Sequence, residues 1–436
     1  MQNKILIPNE VEYVLTKLEK KGFEAFVVGG CVRDSLIGRK PSDWDVTTNA
    51  LPAEIKTLFD KTIDTGIKHG TITILIGKMA IEATTYRVDG NYEDNRRPSE
   101  VRFSNSLIED LSRRDFTINA IAYNPGKGLF DPSGGIGDIE EKSIRTVGDA
   151  AERFREDALR MLRAIRFSAQ LNYDLHPDTM KSICENSSLI ANISSERIRD
   201  ELSDVLMSDN PDRFGLLAGT GLLKHIMPEF CHYPCDMGVV FKALKFIDND
   251  SCLRWAVFIS GFSKVCGISA GNGSNTYAAS DLAQNLLRRL RFDNKSVHRI
   301  TTLVKYREVY IEPSLKAVMK SAALTGKDLF EELLKVKKAF IQAGDMATNS
   351  LEQRSIDGVF ELYQAIVKNN YCLSLEGLAL NGRDIMDMGV SDGKTIGVIL
   401  KMLLDAVLDQ PVLNDKKSLV KLSQDILRDF DFISDV

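Results

Sequence analysis

Apolar positions follow two different rhythms along this chain. TITILIG (Thr71–Gly77) largely alternates apolar and polar side chains, and EAFVV (Glu24–Val28) and IEATTY (Ile81–Tyr86) are short runs rich in β-branched and aromatic residues. All three predict strands. From AAERFREDALRMLRAIRF (Ala150–Phe167) almost to the last residues, apolar positions return at helical spacing instead. Strands first and helices afterwards predict an α+β protein, with a small mixed sheet-and-helix head and a long all-α remainder. GISAGNGSNTYAAS (Gly267–Ser280) predicts a loop inside the helical part.

Composition narrows the class. The 436 residues suffice for several domains, and 44% are apolar, as in ordinary globular proteins. No apolar run approaches the roughly 20 residues that span a bilayer, and MQNKILIPNE lacks the apolar core of a signal peptide. A cytoplasmic protein that does not enter a membrane is expected. The seven cysteines are odd in number and scattered, which suits free thiols in a reducing compartment. With a net charge of -5, any attraction for nucleic acid must be local. RRLRFDNKSVHRITTLVKYR (Arg288–Arg307) carries seven Lys or Arg against one Asp, and predicts either a track for a phosphate backbone or a solvated helical face. His225, Cys231, His232 and Cys235 match no standard zinc spacing. No adjacent His-Asp pair and no Ser-His-Asp or reactive-Cys signature is present.

The chemistry concentrates near the start. EAFVVGGCVRDSLIG reads as strand, Gly-Gly turn and helix, a place where backbone can approach a phosphate closely, with Gly30 in the turn and Arg33 one turn on. PSDWDVTTN follows. On a strand Asp43 and Asp45 share one face and Trp44 takes the other. Adjacent carboxylates repel, and Mg²⁺ prefers carboxylates together with phosphate oxygens. The pair is expected to hold Mg²⁺ on a nucleoside triphosphate, with Glu82 of IEATTY as a third carboxylate from a neighbouring strand. An acidic, solvated edge strand is the alternative for the D-x-D alone.

In RRDFTINA, Arg114 offers a planar fork suited to triphosphate oxygens. Asp115 and Asn119 can hydrogen-bond a ribose 2′-hydroxyl, or form an i,i+4 surface pair. In EDALRMLR, Asp157 and Arg160 are three apart, neighbours on one face of a continuous helix. An Asp only accepts and an Arg only donates. Together they match the amino group and ring nitrogen of cytosine or adenine and mismatch uracil and guanine. The same spacing also gives an ordinary helix salt bridge worth ~0.2–0.5 kcal/mol.

GGCVRDSLIGRKPSDWDVTT, DLSRRDFTINAIAYNP, FDPSGGIGDIEEKSIRTVGDA, RFREDALRMLRAIRFSAQL and ISSERIRDEL occur in this order. The Gly pair and D-x-D resemble the nucleotidyltransferase superfamily typified by DNA polymerase β. The full set more closely resembles the class II CCA-adding enzymes, the tRNA nucleotidyltransferases of bacteria and eukaryotes, whose motifs bacterial poly(A) polymerases share. LALNGRDIMDMG and GKTIGVILKMLLDAVL resemble the tail of the bacterial CCA-adding enzymes. The resemblance implies a seahorse-shaped molecule. Its parts would be a nucleotidyltransferase head (1–145), a helical neck for base recognition (146–205), a helical body (206–330) and a helical, tRNA-binding tail (331–436).

It also implies template-independent addition of C, C and A to the tRNA 3′ end from CTP and ATP, by two-metal nucleotidyl transfer that releases pyrophosphate. Asp157 and Arg160 then read the base. Arg163 and Arg166 join Gly30, Arg33, Arg114, Asp115 and Asn119 around the nucleotide. Steps of three drift around a helix, so Arg166 is expected roughly half a turn from Asp157. Within RVDGNYEDNRRPSEVRF, Asp94, Arg96 and Arg97 match the acidic and basic residues of the family's flexible loop, which readjusts the pocket between C and A; Gly90 suits a hinge there. A poly(A) polymerase and enzymes adding only CC or only A are the alternatives.

Overall fold

The computed structural model describes residues 4–90, 92–93, 97–98, 101–230, 237–265, 276–344, 346–409 and 413–434. The chain forms two compact units, Met1–Tyr233 and Pro234–Val436. The first opens with α1 (Asn9–Glu19), β1 (Ala25–Val28), α2 (Gly30–Leu36), β2 (Asp45–Thr48) and α3 (Pro52–Leu58). Next come β3 (Thr62–Gly66), β4 (Thr71–Ile76), β5 (Met79–Thr85) and α4 (Leu107–Ser112), then β6 (Ala122–Asn124), β7 (Gly128–Phe130) and α5 (Gly135–Glu140). The strands make one seven-stranded sheet in the order β7-β6-β1-β2-β5-β4-β3. All neighbours are antiparallel except β2 and β5, whose parallel register sets Asp45 opposite Glu82.

The sheet is covered on both faces, which is why AFVV reads as an unbroken apolar run. Ala25 and Val27 join Trp44, Val46, Ile72, Ile74, Ile81 and Ala83 under α1 and α3. Phe26 and Val28 take the other side, against Tyr86 and the α4 residues Leu107 and Leu111. The predicted alternation around D-x-D holds for Trp44, which is buried, and Asp45, which is not. Asp43 departs from it, because β2 begins only at Asp45 and Asp43 lies in the irregular segment just ahead. One glycine of GGIGD is set by packing: a Cβ on Gly135 would lie 2.1 Å from the Thr117 carbonyl oxygen.

RVDGNYEDNRRPSEVRF contains two short antiparallel ladders, Arg87–Asp89 with Val101–Phe103 and Tyr92–Glu93 with Arg97–Pro98, where a polar loop is predicted. Asp94 and Arg96 lie outside the described residues, and Arg97 is described only in its backbone.

Four further helices follow, α6 (Ala150–Glu156), α7 (Leu159–Leu171), α8 (Pro177–Asn186) and α9 (Ser195–Met207), of which α7 and α9 line the site. The continuous helix predicted through EDALRMLR is interrupted. Asp157 is extended (φ -138°, ψ 104°), and its Oδ1 accepts the Leu159 N–H at 3.0 Å. An aspartate competes with the backbone inside a helix and is favoured ahead of its first turn, so the sequence ends one helix and starts another at this residue.

In the second unit the described residues are helical almost throughout. Trp255, Phe258 and Phe262, within Ser251–Val265, lie buried edge to face or tilted against one another. Leu380, Ile385, Ile399, Leu403 and Leu419 form a separate core nearer the C-terminus. The predicted loop Gly267–Ser280 is shorter than expected, because a helix already begins at Thr276; residues 266–275 lie outside the described set. No helix among the described residues is long and apolar enough to cross a membrane.

Candidate active site

Gly29 ends the turn after β1 with φ +85°, a conformation side chains rarely adopt. A Cβ there would come within 3.3 Å of Arg114 Nη1 and 3.9 Å of Asp45 Oδ2. The bare turn thus separates a guanidinium from a carboxylate without filling the space between them. That space opens into a cleft of about 780 Å³ within the first unit. Gly29, Gly30, Arg33, Asp43, Asp45, Arg114, Asp115, Asn119, Arg163 and Arg166 line it, together with Phe167 and the α9 residue Asp204.

The acidic side of the cleft is strained electrostatically. Burial, then Asp43, then Glu82 push the Asp45 carboxyl up to about 6, and Arg114 only partly offsets them. Among the described residues, no three His, Cys, Asp or Glu gather tightly enough to hold a metal ion by themselves. Two carboxylates plus substrate phosphate oxygens are nevertheless the donor set Mg²⁺ usually takes, because the ion keeps water and phosphate ligands rather than an all-protein cage. A cation beside Asp45 would relieve the repulsion that raises its pKa.

The cationic side is built from borrowed support. Asp110, wholly buried on α4, accepts from Arg113 at 2.7 and 3.0 Å, from Arg114 at 3.3 Å and from Thr47 at 3.0 Å. Burial would raise its pKa, but Arg114 and then Arg113 carry it below the ordinary value. Arg114 keeps a buried Nε with no hydrogen-bond partner among the described residues, a donor that a phosphate oxygen would satisfy. Arg33 Nη1 donates to Asn119 Oδ1 at 2.7 Å, and Asn119 Nδ2 donates to Asp115 Oδ1 at 3.3 Å. Asp115 Oδ2 accepts Arg163 Nε and Nη2 at 2.9 and 2.7 Å, while its Oδ1 also accepts the Phe116 N–H at 2.8 Å. Burial again opposes ionisation, yet Arg163 holds the carboxyl at about 2. These bonds use all of the roughly four acceptor positions a carboxylate has. Asp115 is therefore an anchor for Arg163 and Asn119.

Two expectations about the EDALRMLR segment change. Asp157 and Arg160 do not share a helical face, and neither lines the cleft. Asp157 Oδ2 accepts Arg197 Nη2 at 2.9 Å, whereas Arg160 pairs with Glu156 and donates to the Arg153 and Arg113 carbonyls at 3.2 and 3.3 Å. Arg166, expected around the nucleotide though half a turn from Asp157, lines the cleft. Its Nε donates to Glu201 at 2.6 Å and its Nη1 to Gln170 at 3.0 Å.

Several site residues escaped the sequence reading: Asp110, Arg197, Glu201 and Phe167. Asp110 and Arg114 are i,i+4, a spacing that signals the pair but not its burial. Cys31, next to Gly30, is inert, since burial pushes its thiol up to about 11. In the basic stretch 288–307, Arg299 is committed to Glu332 at 2.7 Å and Asp250 at 3.1 Å. Arg307 is buried, with burial holding it down to about 10. Those two support the helical unit rather than a surface track. Of the four residues weighed for zinc, only His225 lies among the described residues.

Known proteins resemble this chain in sequence and fold. Residues 25–145 match the poly A polymerase head domain, 172–233 the probable RNA and SrmB-binding site of polymerase A, and 276–422 the putative tRNA nucleotidyltransferase domain 2. The CCA-adding enzyme of Lactobacillus johnsonii is 33% identical over 410 residues, covering 94% of this chain and 95% of its own. That of Geobacillus thermodenitrificans is 50% identical over 214 residues, 49% of this chain and 53% of its own. The crystal structure of the Bacillus stearothermophilus CCA-adding enzyme in complex with CTP superposes with a TM-score of 0.77 at 29% identity, covering 98% of this chain and 99% of the other. The Thermotoga maritima enzyme complexed with tRNA shares the fold, with a TM-score of 0.61 at 21% identity over 97% of each chain.

Proposed function

This chain belongs to the CCA-adding enzymes, a family of tRNA nucleotidyltransferases, and from that premise we propose that it completes tRNA 3′ ends with C, C and A from CTP and ATP by two-metal nucleotidyl transfer. Each step joins the primer 3′-hydroxyl oxygen to the α-phosphorus of the incoming nucleotide and breaks the bond to the β-phosphate, so pyrophosphate leaves. The observation that carries this reading is the opposition, across the bare Gly29 turn, of Asp45 with its raised pKa and Arg114 with its unpartnered Nε.

Asp43 and Asp45 would hold Mg²⁺, with Glu82 across the strand pair as the third carboxylate. When bound, such ions lower the pKa of the primer hydroxyl and stabilise the charge on the departing pyrophosphate. Arg33 and Arg114, beside Gly30, bind triphosphate oxygens. Asn119 meets the ribose, and Asp115 holds Asn119 and Arg163 in place. Arg163 and Arg166 complete the cationic wall. Asp157 reads the base amino group with the acceptor capacity that Arg197 and the Leu159 N–H leave over, and Arg160 supplies the donor on exchanging Glu156 for the base. The divisions 1–145, 146–205, 206–330 and 331–436 serve as head, neck, body and tRNA-binding tail in this reading, and Asp94, Arg96 and Arg97 belong to the loop that readjusts the pocket for A.

The test is direct. Pure protein is incubated with tRNA lacking its 3′ CCA and with each nucleotide singly and together, and the products are sequenced. Ends completed to CCA support the reading. Runs of A would replace it with a poly(A) polymerase, and arrest after CC or addition of A alone with a partial enzyme.

A further inference from the structure

Phe167 sits in the middle of the cationic wall. Its ring centroid is 4.1 Å from the Arg166 guanidinium carbon and 5.3 Å from those of Arg33 and Arg163. Phe116 packs edge-on against the ring at 5.6 Å, and Phe167 is only 5% exposed although it lines the cleft. Arg163 reaches it from one turn earlier on α7, Arg166 from the adjacent position, and Arg33 from α2. Three like charges gathered around one small ring repel one another. Carboxylates hold the guanidinium edges: Asp34 on Arg33 at 2.8 Å, Asp115 on Arg163 at 2.7 Å and Glu201 on Arg166 at 2.6 Å. None of those bonds restrains a guanidinium along its own normal. An aromatic face does so, by cation–π attraction that strengthens where water is excluded.

We infer that Phe167 is a positioning residue for nucleoside triphosphates: its ring holds Arg33, Arg163 and Arg166 ready for an anion without using any of their N–H donors. A long arginine loses considerable rotamer freedom when it is fixed. A wall fixed beforehand spares the nucleotide that cost, whichever base it carries. The effect therefore belongs to triphosphate affinity, equal for CTP and ATP, and not to base choice or to the chemical step.

This rests on the cleft being the nucleotide site, so binding and transfer are measured separately on the full chain. Phe167→Leu keeps an apolar group of similar bulk and removes the ring; Phe167→Tyr keeps the ring. Calorimetric titration with CTP and with ATP should show Phe167→Leu about 5–20-fold weaker for both, a range equivalent to ~1–2 kcal/mol at tenfold per 1.4 kcal/mol. Phe167→Tyr should stay within about twofold of wild type. In the transfer assay Phe167→Leu should show a matching rise in KM, with kcat and discrimination against UTP little changed. Phe167→Met reads the same affinity should the leucine variant melt early. Wild-type affinity in folded Leu or Met variants, or equal losses in Leu and Tyr, would overturn the inference. A wild-type protein that binds CTP yet extends no tRNA would overturn the proposed function and leave the Phe167 comparison standing.

Discussion

Replacing Asp115 by Asn isolates the contact that joins α7 to the turn after α4. Asp115 takes two N–H groups from Arg163 on one oxygen, and the Phe116 and Asn119 N–H groups on the other. An asparagine has a single acceptor oxygen and an NH₂ that can only donate. Whichever way the amide turns, its NH₂ faces donors, either those of Arg163 or those of Phe116 and Asn119. The carboxyl lies at about 2 against an ordinary 3.8. At about 1.4 kcal/mol per unit that difference corresponds to ~2–3 kcal/mol. Breaking a buried ion pair from one side typically costs about 3–5 kcal/mol. Arg163 is a third exposed and keeps a weaker contact with Glu201 at 3.8 Å, so the lower end applies. The expected loss is ~2–4 kcal/mol.

Hydrogen exchange of the α7 amides reads this locally, without assuming that two units unfold together. At pH 7 the α7 amides of Asp115→Asn should lose protection equivalent to that free energy. The folded pKa is depressed, so the stabilisation is complete above the unfolded value of 3.8 and is lost as pH falls towards about 2. The gap between wild type and variant should therefore close between pH 4 and pH 2. If Asp115 acts as an anchor, the variant binds CTP more weakly through the loosened Arg163 and loses part of its preference for CTP over dCTP through the loosened Asn119. Unchanged protection in α7 would refute the energetic argument. A preference for CTP over dCTP that stays at its wild-type value would refute the anchoring of Asn119.

Asp43→Ala and Asp45→Ala should each abolish addition of C and of A while leaving tRNA affinity nearly intact in a gel-shift assay; near-normal incorporation by either would sink the metal assignment. Asp157→Ala and Arg160→Ala should admit UTP or GTP at a reduced rate, scored by sequencing the products, and full discrimination in both would move base reading to other residues. Deleting Asn91–Arg97 should spare addition of CC and nearly eliminate the terminal A, compared on tRNA ending before the first C and on tRNA ending in CC; equal losses on the two substrates would refute a role in switching the pocket.

Where structure depends on short-range order, the sequence was legible. The Gly-Gly turn between β1 and α2 and the strand of Glu82 form where the local pattern predicts them, and a parallel pairing of β2 with β5 brings Asp45 opposite Glu82, although Asp43 lies ahead of the strand. The α+β division was legible for the same reason, because periodicity is a local property. Asp157 shows where that reading stops. A continuous helix and a helix broken at an aspartate have the same apolar spacing, and the break is decided by one side-chain oxygen accepting the Leu159 N–H. Around it, Asp157 pairs with Arg197 and Arg160 with Glu156, while Arg166 lines the cleft.

Much of the support behind the cationic wall could not be read, because it joins distant parts of the chain. Asp115 meets Arg163 48 residues later, Arg33 meets Asn119 86 residues later, and Arg166 meets Glu201 35 residues later. A guanidinium motif in a sequence states only that a cation is present. Whether that cation can bind a phosphate depends on what fixes its edge and its face, and here the adjacent Asp34 and two acids from distant segments, Asp115 and Glu201, fix the edges while Phe167 lies against the face. A carboxylate that fixes an arginine also competes with phosphate for the same donors. An aromatic ring does not compete, which is why Phe167 is the position where positioning and ligand binding can be separated by substitution.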